Sequence, residues 1–128
     1  MTEAAAGGPP ILVVEDDPLL RDTLTWVLED DGLRVMVAVD GPAALELADA
    51  SAPSLVVLDM SLPGMDGFSV AAALRARFGN DFPILVITAD GQARDKAARV
   101  GAYAFLHKPF DVDVLIRRVR EGLRGQMA

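Results

Sequence analysis

The sequence predicts one α/β domain in which five parallel strands alternate with five helices. Three observations predict it: short apolar runs recur along the chain, each is followed by a segment with helical periodicity, and the runs are apolar at successive positions. Continuous apolar runs are typical of strands buried on both faces. Strict alternation favours a single parallel sheet covered by helices on both sides. A length of 128 residues suits one such domain.

Five segments have the apolar character of buried strands. They are 11–15 (ILVVE), 34–39 (RVMVAV), 54–60 (SLVVLDM), 83–89 (PILVITA) and 102–107 (AYAFLH). The order expected for five such units is 2-1-3-4-5, the flavodoxin-like order of doubly wound sheets. In that arrangement the functional site lies at the carboxyl ends of the strands, where the strand order reverses.

The segments between the strands carry helical signals. Helices are predicted at 16–32, 41–51, 66–79, 91–101 and 111–125. In the first, Asp17 is placed to cap the helix, Pro18 fits its first turn and Gly32 can end it. The buried positions predicted by helical spacing are Leu20, Leu24, Val27 and Leu28 in the first helix, Ala71, Leu74 and Phe78 in the third, and Val112, Leu115, Val119 and Leu123 in the fifth. The fourth helix is polar and is predicted to be the least stable.

Composition sets the domain boundaries and excludes several classes of function. We expect a flexible leader at 1–9, the domain at 10–125 and a tail at 126–128. The net charge of −7 argues against nucleic-acid binding by this chain, because phosphate would repel it. The absence of Cys excludes disulfides and thiolate metal sites and agrees with a cytoplasmic location. No apolar run reaches the roughly 18 residues of a membrane span.

Polar side chains follow four of the five predicted strands. Glu15 and Asp16 end the first strand, Asp59 lies near the end of the third, Thr88 near the end of the fourth, and Lys108 follows the fifth. The carboxyl ends of parallel strands lie on one edge of the sheet. We therefore expect three carboxylates, one hydroxyl and one ammonium to meet in one crevice.

Three close carboxylates need positive charge nearby. Lys108 and a bound metal ion are the two cations that could supply this charge. Without Cys and with a single His, the ligands are hard oxygens, which suit Mg²⁺ or Mn²⁺. An Asp beside such an ion is suited to act as a nucleophile that attacks phosphorus. The metal and Lys108 would hold the charge of the transferred group, and Thr88 would donate to a phosphate oxygen.

Four motifs, in this order and spacing, identify a resemblance. They are VVEDD at 13–17, VVLDMSLPGMDG at 56–67, ITAD at 87–90 and HKPF at 107–110. Together they resemble the receiver domain of two-component response regulators, with the fold of the chemotaxis response regulators. The resemblance covers residues 10 to 125, which is nearly the whole chain.

The resemblance implies roles for the acidic residues of the motifs and for Ser61 and Lys108. Asp59 would be the phospho-acceptor and would share in the metal site. Asp16 would bind Mg²⁺ directly, Glu15 would help mostly through water, and Ser61 would offer its backbone carbonyl. Lys108 would bind the phosphate, and the Lys108–Pro109 peptide would be cis.

The resemblance also assigns the switch. Thr88 would be the switch hydroxyl, and Phe105 holds the aromatic switch position three residues before Lys108. Many receivers carry Tyr there, whereas Tyr103 lies two residues too early, so a polar read-out by a hydroxyl is lost. Ser61 and Asp90 would flank the path of the water that removes the phosphoryl group, and would modulate dephosphorylation.

The implied function is a phosphorylation-activated switch in bacterial two-component signalling or a phosphorelay. A histidine kinase or histidine phosphotransfer protein would donate the phosphoryl group to Asp59. The chain would act as a phospho-acceptor that assists its own phosphorylation and dephosphorylation, not as an enzyme. Its fourth helix, fifth strand and fifth helix would change and contact a downstream protein. The domain would be either a stand-alone receiver or part of a longer regulator.

The same face is expected to support a weak homodimer. Charged residues on the fourth and fifth helices would pair reciprocally across a two-fold axis. They are Asp95, Lys96, Arg99, Arg117, Arg118 and Arg120.

Two other functions compete with this interpretation. A small Mg²⁺-dependent phosphatase would also use Asp59 as its nucleophile. Such an enzyme would need a second carboxylate two residues after Asp59, but that residue is Ser61. An FMN-binding protein would want a loop rich in Ser, Thr or Gly after the first strand, and the acidic EDDP segment would repel its phosphate.

Overall fold

The computed structural model describes residues 8–61 and 66–127, and it has the predicted fold. Five parallel strands form one sheet in the order β2-β1-β3-β4-β5. The strands are β1 (Ile11–Val14), β2 (Val35–Ala38), β3 (Leu55–Asp59), β4 (Ile84–Thr88) and β5 (Ala104–His107). The helices are α1 (Pro18–Asp30), α2 (Gly41–Ala50), α3 (Gly67–Phe78), α4 (Ala93–Val100) and α5 (Val112–Met127). The fold class predicted from the sequence is confirmed.

The element boundaries differ slightly from the predicted ones. Most strands and helices are one or two residues shorter at an end, whereas α5 continues to Met127, beyond the predicted limit at 125. Residues 126 and 127 therefore lie in the helix and not in a tail. Residues 1–7 of the predicted leader lie outside the described residues.

Helix α1 begins and ends where the sequence signals indicate. The side chain of Asp17 accepts a hydrogen bond from the Leu19 backbone N–H at 3.1 Å, and Pro18 occupies the first helical position. This capping bond satisfies one of the free N–H groups of the first turn. Gly32 has a φ of +88°, a conformation that glycine adopts without strain.

The sheet is covered on both faces. Alternate strand residues, such as Val13 and Val57, pack against buried Leu28 of α1 and Leu115 of α5. On the opposite face the strands pack against α2, α3 and α4, which contribute Ala44, Ala48, Val70, Ala71, Leu74, Ala97 and Val100 to this layer. Because side chains alternate along a strand, each strand supplies both layers, which explains its continuous apolar sequence. Among residues 8–61 and 66–127, none of the helices has both the length and the apolar character needed to cross a membrane.

Contacts with α3 hold the end of α4. The guanidinium of Arg75 donates to the carbonyls of Val100 and Gly101 at the C-terminus of α4, the second at 2.9 Å. Gly101 has a φ of +68°, so the helix ends in a left-handed residue. Arg75 therefore satisfies carbonyl groups that have no partner within α4.

Helix α5 lies close to the start of β5. The Tyr103 hydroxyl donates to the backbone carbonyl of Arg118 at 2.5 Å. A Cβ on Gly122 would lie only 2.6 Å from the Tyr103 ring and hydroxyl and 2.5 Å from Leu55. Glycine at this position therefore allows the aromatic ring to fit against the helix.

The amino edge of the sheet lies opposite the polar strand ends. Gly125, near the end of α5, lines a cavity of about 760 Å³ together with Pro83 and Ile84 at the start of β4. Arg34, just before β2, donates to the Gly8 carbonyl at 3.2 Å. Both ends of the described chain are thus at this amino edge.

Candidate functional site

The carboxyl edge of the sheet brings the predicted polar residues together. Val14 pairs with Leu58 in the sheet, so the next residues along these neighbouring strands are Glu15 and Asp59. Glu15 is 0% exposed and Asp59 is 1% exposed. Thr88 ends β4 and is also buried, while Asp16 is exposed to solvent. The expected convergence of strand ends is therefore observed.

Lys108 lies between the two buried carboxylates. Its Nζ atom is 2.7 Å from Asp59 Oδ2 and 2.7 Å from Glu15 Oε1. The contact with Asp59 is a hydrogen bond, whereas the contact with Glu15 is an ion pair without hydrogen-bond geometry. The Lys108–Pro109 peptide is cis, as expected.

The charges in this group alter one another's proton affinity. Burial, with a smaller contribution from the charge of Asp59, raises the pKa of Glu15 despite the opposing effects of Lys108 and the Asp17 N–H. Burial alone would lower the pKa of Lys108, but the hydrogen bond with Asp59 and the contact with Glu15 outweigh it and raise that pKa. The ammonium therefore stays protonated between the two carboxylates.

Ser61 contacts the remaining oxygen of Asp59. Its backbone N–H and its hydroxyl donate to Asp59 Oδ1 at 2.8 and 2.6 Å. The hydroxyl also accepts from the Ala89 N–H at 3.4 Å, which connects the segment after β3 to the segment after β4. From the sequence we expected the Ser61 carbonyl to bind the metal and Ser61 to flank the water path, but not a bond from its side chain to Asp59. The side-chain contact was missed, although Asp often accepts from the residue two positions later.

Three carboxylates form a group that fits a metal ion. Glu15, Asp16 and Asp59 each offer an oxygen, and these oxygens all lie within 4.8 Å of one another. A set of carboxylate oxygens without nitrogen or sulfur suits Mg²⁺. Arg21 of α1 holds the backbone here, because its guanidinium donates to the carbonyls of Glu15 and Asp16 at 3.2 and 3.1 Å. This contribution of Arg21 was not predicted.

The two predicted switch residues are in different surroundings. The buried Thr88 hydroxyl belongs to the site and accepts from the Asp90 N–H at 3.4 Å. Phe105 lies on the edge strand β5, opposite Val86, and is 39% exposed. It is not in the polar group, and its role as a switch stays a prediction.

Helix α4 contributes a residue to this edge that the sequence did not reveal. Lys96 Nζ contacts Asp90 Oδ2 and donates to the Met60 carbonyl at 3.4 Å. The hydrogen bond between Lys96 and the Asp90 carboxylate lowers the pKa of Asp90. The Lys96 side chain is only 17% exposed, so it faces the site and not the surface.

Several charges of the face expected to form a dimer also have partners within the chain, and the dimer itself stays a prediction. Besides Lys96, the Arg99 guanidinium lies 4.2 Å from the centre of the Phe68 ring on α3. Arg120 binds Asp31 at the end of α1, with Nε 2.8 Å from Oδ2. These three charges make contacts within the chain, because α4 and α5 turn those positions toward neighbouring elements.

The fold and the site define a class. An acidic group with a lysine and a buried hydroxyl, at the carboxyl edge of a 2-1-3-4-5 sheet, is suited to bind a metal ion and a phosphoryl group. The family model for the response regulator receiver domain matches residues 11–120. The chain belongs to this family, the receiver domains of two-component response regulators. Receiver domains are phospho-acceptor signalling modules that interact with histidine kinases, and they are not enzymes with external substrates.

Comparisons with individual proteins support the same family. The DNA-binding dual master transcriptional regulator RpaA of Synechocystis is 43% identical over 119 residues, which cover 91% of this chain and 49% of RpaA. The receiver domain of NtrX from Brucella abortus is 34% identical with a TM-score of 0.81, covering 89% of this chain and 98% of that one. TrrA from Thermotoga maritima, solved with Mg²⁺ and BeF, is 31% identical with a TM-score of 0.79, covering 91% of this chain and 100% of that one.

The length of the relatives differs from that of this chain. This chain spans about half of RpaA and about half of the mycobacterial sensory transduction protein RegX3. The match does not include the other half of those proteins, so the functions of that half are not assigned to this chain.

Proposed function

We propose that this chain is a phosphorylation-activated switch whose acceptor is Asp59. The single observation that carries the proposal is the position of this carboxylate. Asp59 ends the central strand, is 1% exposed, contacts Lys108 at 2.7 Å and lies in the acidic group with Glu15 and Asp16. A buried carboxylate costs free energy unless it has such partners, and this set of partners is the one that phosphoryl transfer requires.

The chemistry is a transfer from nitrogen to oxygen. An Asp59 oxygen attacks phosphorus, the bond between phosphorus and the donor's histidine nitrogen breaks, and an acyl phosphate forms. Lys108 holds negative charge on the phosphoryl oxygens, and Thr88 donates a hydrogen bond to one of them. Bound Mg²⁺ would neutralise further phosphoryl charge. Asp16, Glu15, Asp59 and the Ser61 carbonyl would hold it.

A surface beside the site supports a protein as the phosphoryl donor. A mainly apolar groove of about 480 Å³ adjoins Lys108, between the start of α1 and the segment after β5. Leu19 at its rim is 76% exposed. The other apolar side chains that line it are Leu20, Ala89, Pro109, Phe110 and Val112. Exposed apolar surface of this kind fits a helical histidine kinase or histidine phosphotransfer protein.

The output is carried by α4, β5 and α5. Phosphorylation adds a charge of about −1.5 to −2 to the site. Thr88 would then move toward the phosphoryl group, and Phe105 would gain room to turn inward. Helix α4 buries only two Ala side chains and Val100, so little buried apolar surface opposes a change in its position. This face would bind a downstream protein or a second copy of the chain.

The signal would end by hydrolysis at the same site. Water would attack phosphorus and release inorganic phosphate from Asp59. Ser61 and Asp90 follow the acceptor and the switch hydroxyl by two residues each, and would set the rate of this step. If the domain works within a longer regulator, as the lengths of RpaA and RegX3 suggest, the face would contact an effector domain. A stand-alone receiver would contact a separate protein.

Mass spectrometry after incubation with acetyl phosphate and Mg²⁺ tests the proposal. We expect a gain of one phosphoryl group on the wild type, none on Asp59→Asn and one on the matched control Asp95→Asn, which changes an exposed carboxyl on α4. Phosphate that persists on Asp59→Asn would refute the assignment. Hydrogen exchange with beryllofluoride, which mimics the acyl phosphate, then tests the output: protection is expected to change over 93–120, and a change limited to the site would refute the proposed surface.

A further inference from the structure

Lys96 joins α4 to the two segments that border Asp59. Its ammonium donates to the carbonyl of Met60, the residue directly after Asp59. The same ammonium contacts the carboxylate of Asp90, two residues after Thr88. A single lysine therefore connects the first turns of α4 to the chain that leaves β3 and to the chain that leaves β4.

Both oxygens of Asp90 are occupied in this arrangement. Oδ2 contacts Lys96, and Oδ1 accepts from the Gln92 N–H at 2.9 Å. The Lys96 side chain is 17% exposed and that of Asp90 is 40% exposed, so the pair is shielded from solvent on the lysine side only. These two contacts fix the orientation of the Asp90 carboxylate and direct both of its oxygens toward the first turns of α4.

The segment that Lys96 restrains also contacts the acceptor. The Ala89 N–H donates to Ser61 Oγ, which donates to Asp59 Oδ1. The Asp90 N–H donates to Thr88 Oγ1. Only one or two hydrogen bonds therefore separate the Lys96–Asp90 pair from Asp59 and from the switch hydroxyl.

We propose that Lys96 is a positioning residue that sets the lifetime of the phosphoryl group by holding the Asp90 carboxylate. The inference rests on the proposed function of Asp59 as acceptor. In hydrolysis, a water oxygen bonds to phosphorus and the bond between phosphorus and the Asp59 oxygen breaks. The products are the Asp59 carboxylate, inorganic phosphate and one proton released to solvent. A freed Asp90 oxygen would accept a hydrogen bond from the attacking water and orient it.

This arrangement couples the position of α4 to the chemistry. While α4 is docked with Lys96 against Asp90, the carboxylate is engaged and hydrolysis is slow. A partner that draws α4 away would release Asp90 and shorten the lifetime of the signal. The phosphoryl lifetime would then report on contacts made at α4, although α4 does not touch the phosphoryl group.

The half-life of the phosphorylated protein tests the inference. We expect Lys96→Ala to shorten it about fivefold, which corresponds to about 1 kcal/mol in the barrier. Lys96→Arg keeps the charge and is expected to retain most of the wild-type half-life. Arg94→Ala removes an exposed charge from the same helix and should leave it unchanged. Lys96→Gln, which keeps a long polar side chain, replaces Lys96→Ala if circular dichroism shows that the latter is unfolded.

A double substitution separates positioning from a general structural effect. Asp90→Ala should lengthen the half-life, and Asp90→Ala with Lys96→Ala should match Asp90→Ala alone. A Lys96→Ala effect that persists without Asp90, or an unchanged half-life in Lys96→Ala, would overturn the inference while leaving Asp59 as the acceptor. A wild-type protein that takes up no phosphate would overturn the proposed function itself.

Discussion

Replacing Lys108 with Met should destabilise the metal-free protein, because it removes the cation between two buried carboxylates. Met keeps an unbranched side chain of similar length, so packing changes little. Glu15 and Asp59 are 0% and 1% exposed, and Lys108 contacts each at 2.7 Å. Breaking a buried ion pair by removing one partner costs about 3–5 kcal/mol. We expect the lower end, about 3 kcal/mol, because the Lys108 side chain is itself 20% exposed.

The loss should depend on pH in a defined direction. Burial already raises the pKa of Glu15 above its ordinary value of 4.5, and removal of Lys108 raises it further. A carboxyl whose pKa is higher in the folded state binds a proton more readily there than in the unfolded chain. Its contribution to stability is therefore full at low pH and is lost as pH rises through the folded-state pKa. The deficit of Lys108→Met should accordingly be largest at neutral pH and smaller near pH 5.

Urea denaturation followed by circular dichroism measures the effect. With a slope of about 1.5 kcal/mol per M, a loss of about 3 kcal/mol lowers the midpoint by about 2 M. The experiment is run without Mg²⁺ at two pH values, with Arg94→Met as the control for loss of one positive charge. Adding Glu15→Gln to Lys108→Met should recover part of the loss, since one of the buried charges is then gone.

Two results would refute the reasoning. A Lys108→Met protein as stable as the wild type at neutral pH would mean that water already screens the carboxylates. A deficit that does not shrink on acidification would mean that packing, and not the charge on Glu15, is responsible.

Two further predictions concern the metal group and α5. Mg²⁺ should raise the thermal midpoint of the wild type but have little effect on Asp16→Ala, with an intermediate effect on Glu15→Ala; equal shifts in all three would contradict the proposed ligands. Gly122→Ala should destabilise the domain by about 1–3 kcal/mol, because the new Cβ would overlap Tyr103 and Leu55; unchanged stability in urea denaturation would show that the ring moves aside freely.

The positions of the main site residues could be predicted because they follow from strand order. Asp59, Thr88 and Lys108 occur at or just after the ends of strands, and parallel strands bring these ends to one edge. The pairing of Val14 with Leu58 then brings Glu15 beside Asp59. No detail of side-chain packing is needed for this result, so a periodic pattern of apolar runs was sufficient.

The contacts of Lys96 and Arg75 could not be predicted in this way. Each depends on how a helix is rotated about its axis and on how far a long side chain reaches. Lys96 was expected on the outer face of the fourth helix, but it turns inward to Asp90. Arg75 reaches carbonyls at the end of α4 that are 25 and 26 residues further along the chain. Periodicity gives the buried face of a helix, but not the partners of the polar residues at its border.

Both ends of the described chain lie at the amino edge of the sheet, whereas Asp59 lies at the carboxyl edge. A five-residue strand separates these edges by about 16 Å. Any polypeptide that extends from either end, whether natural or added as a tag, therefore starts on the far side of the domain from the acidic group. Such a segment leaves the domain away from Asp59, so a fluorescent label placed at either end would leave the phosphoryl site undisturbed.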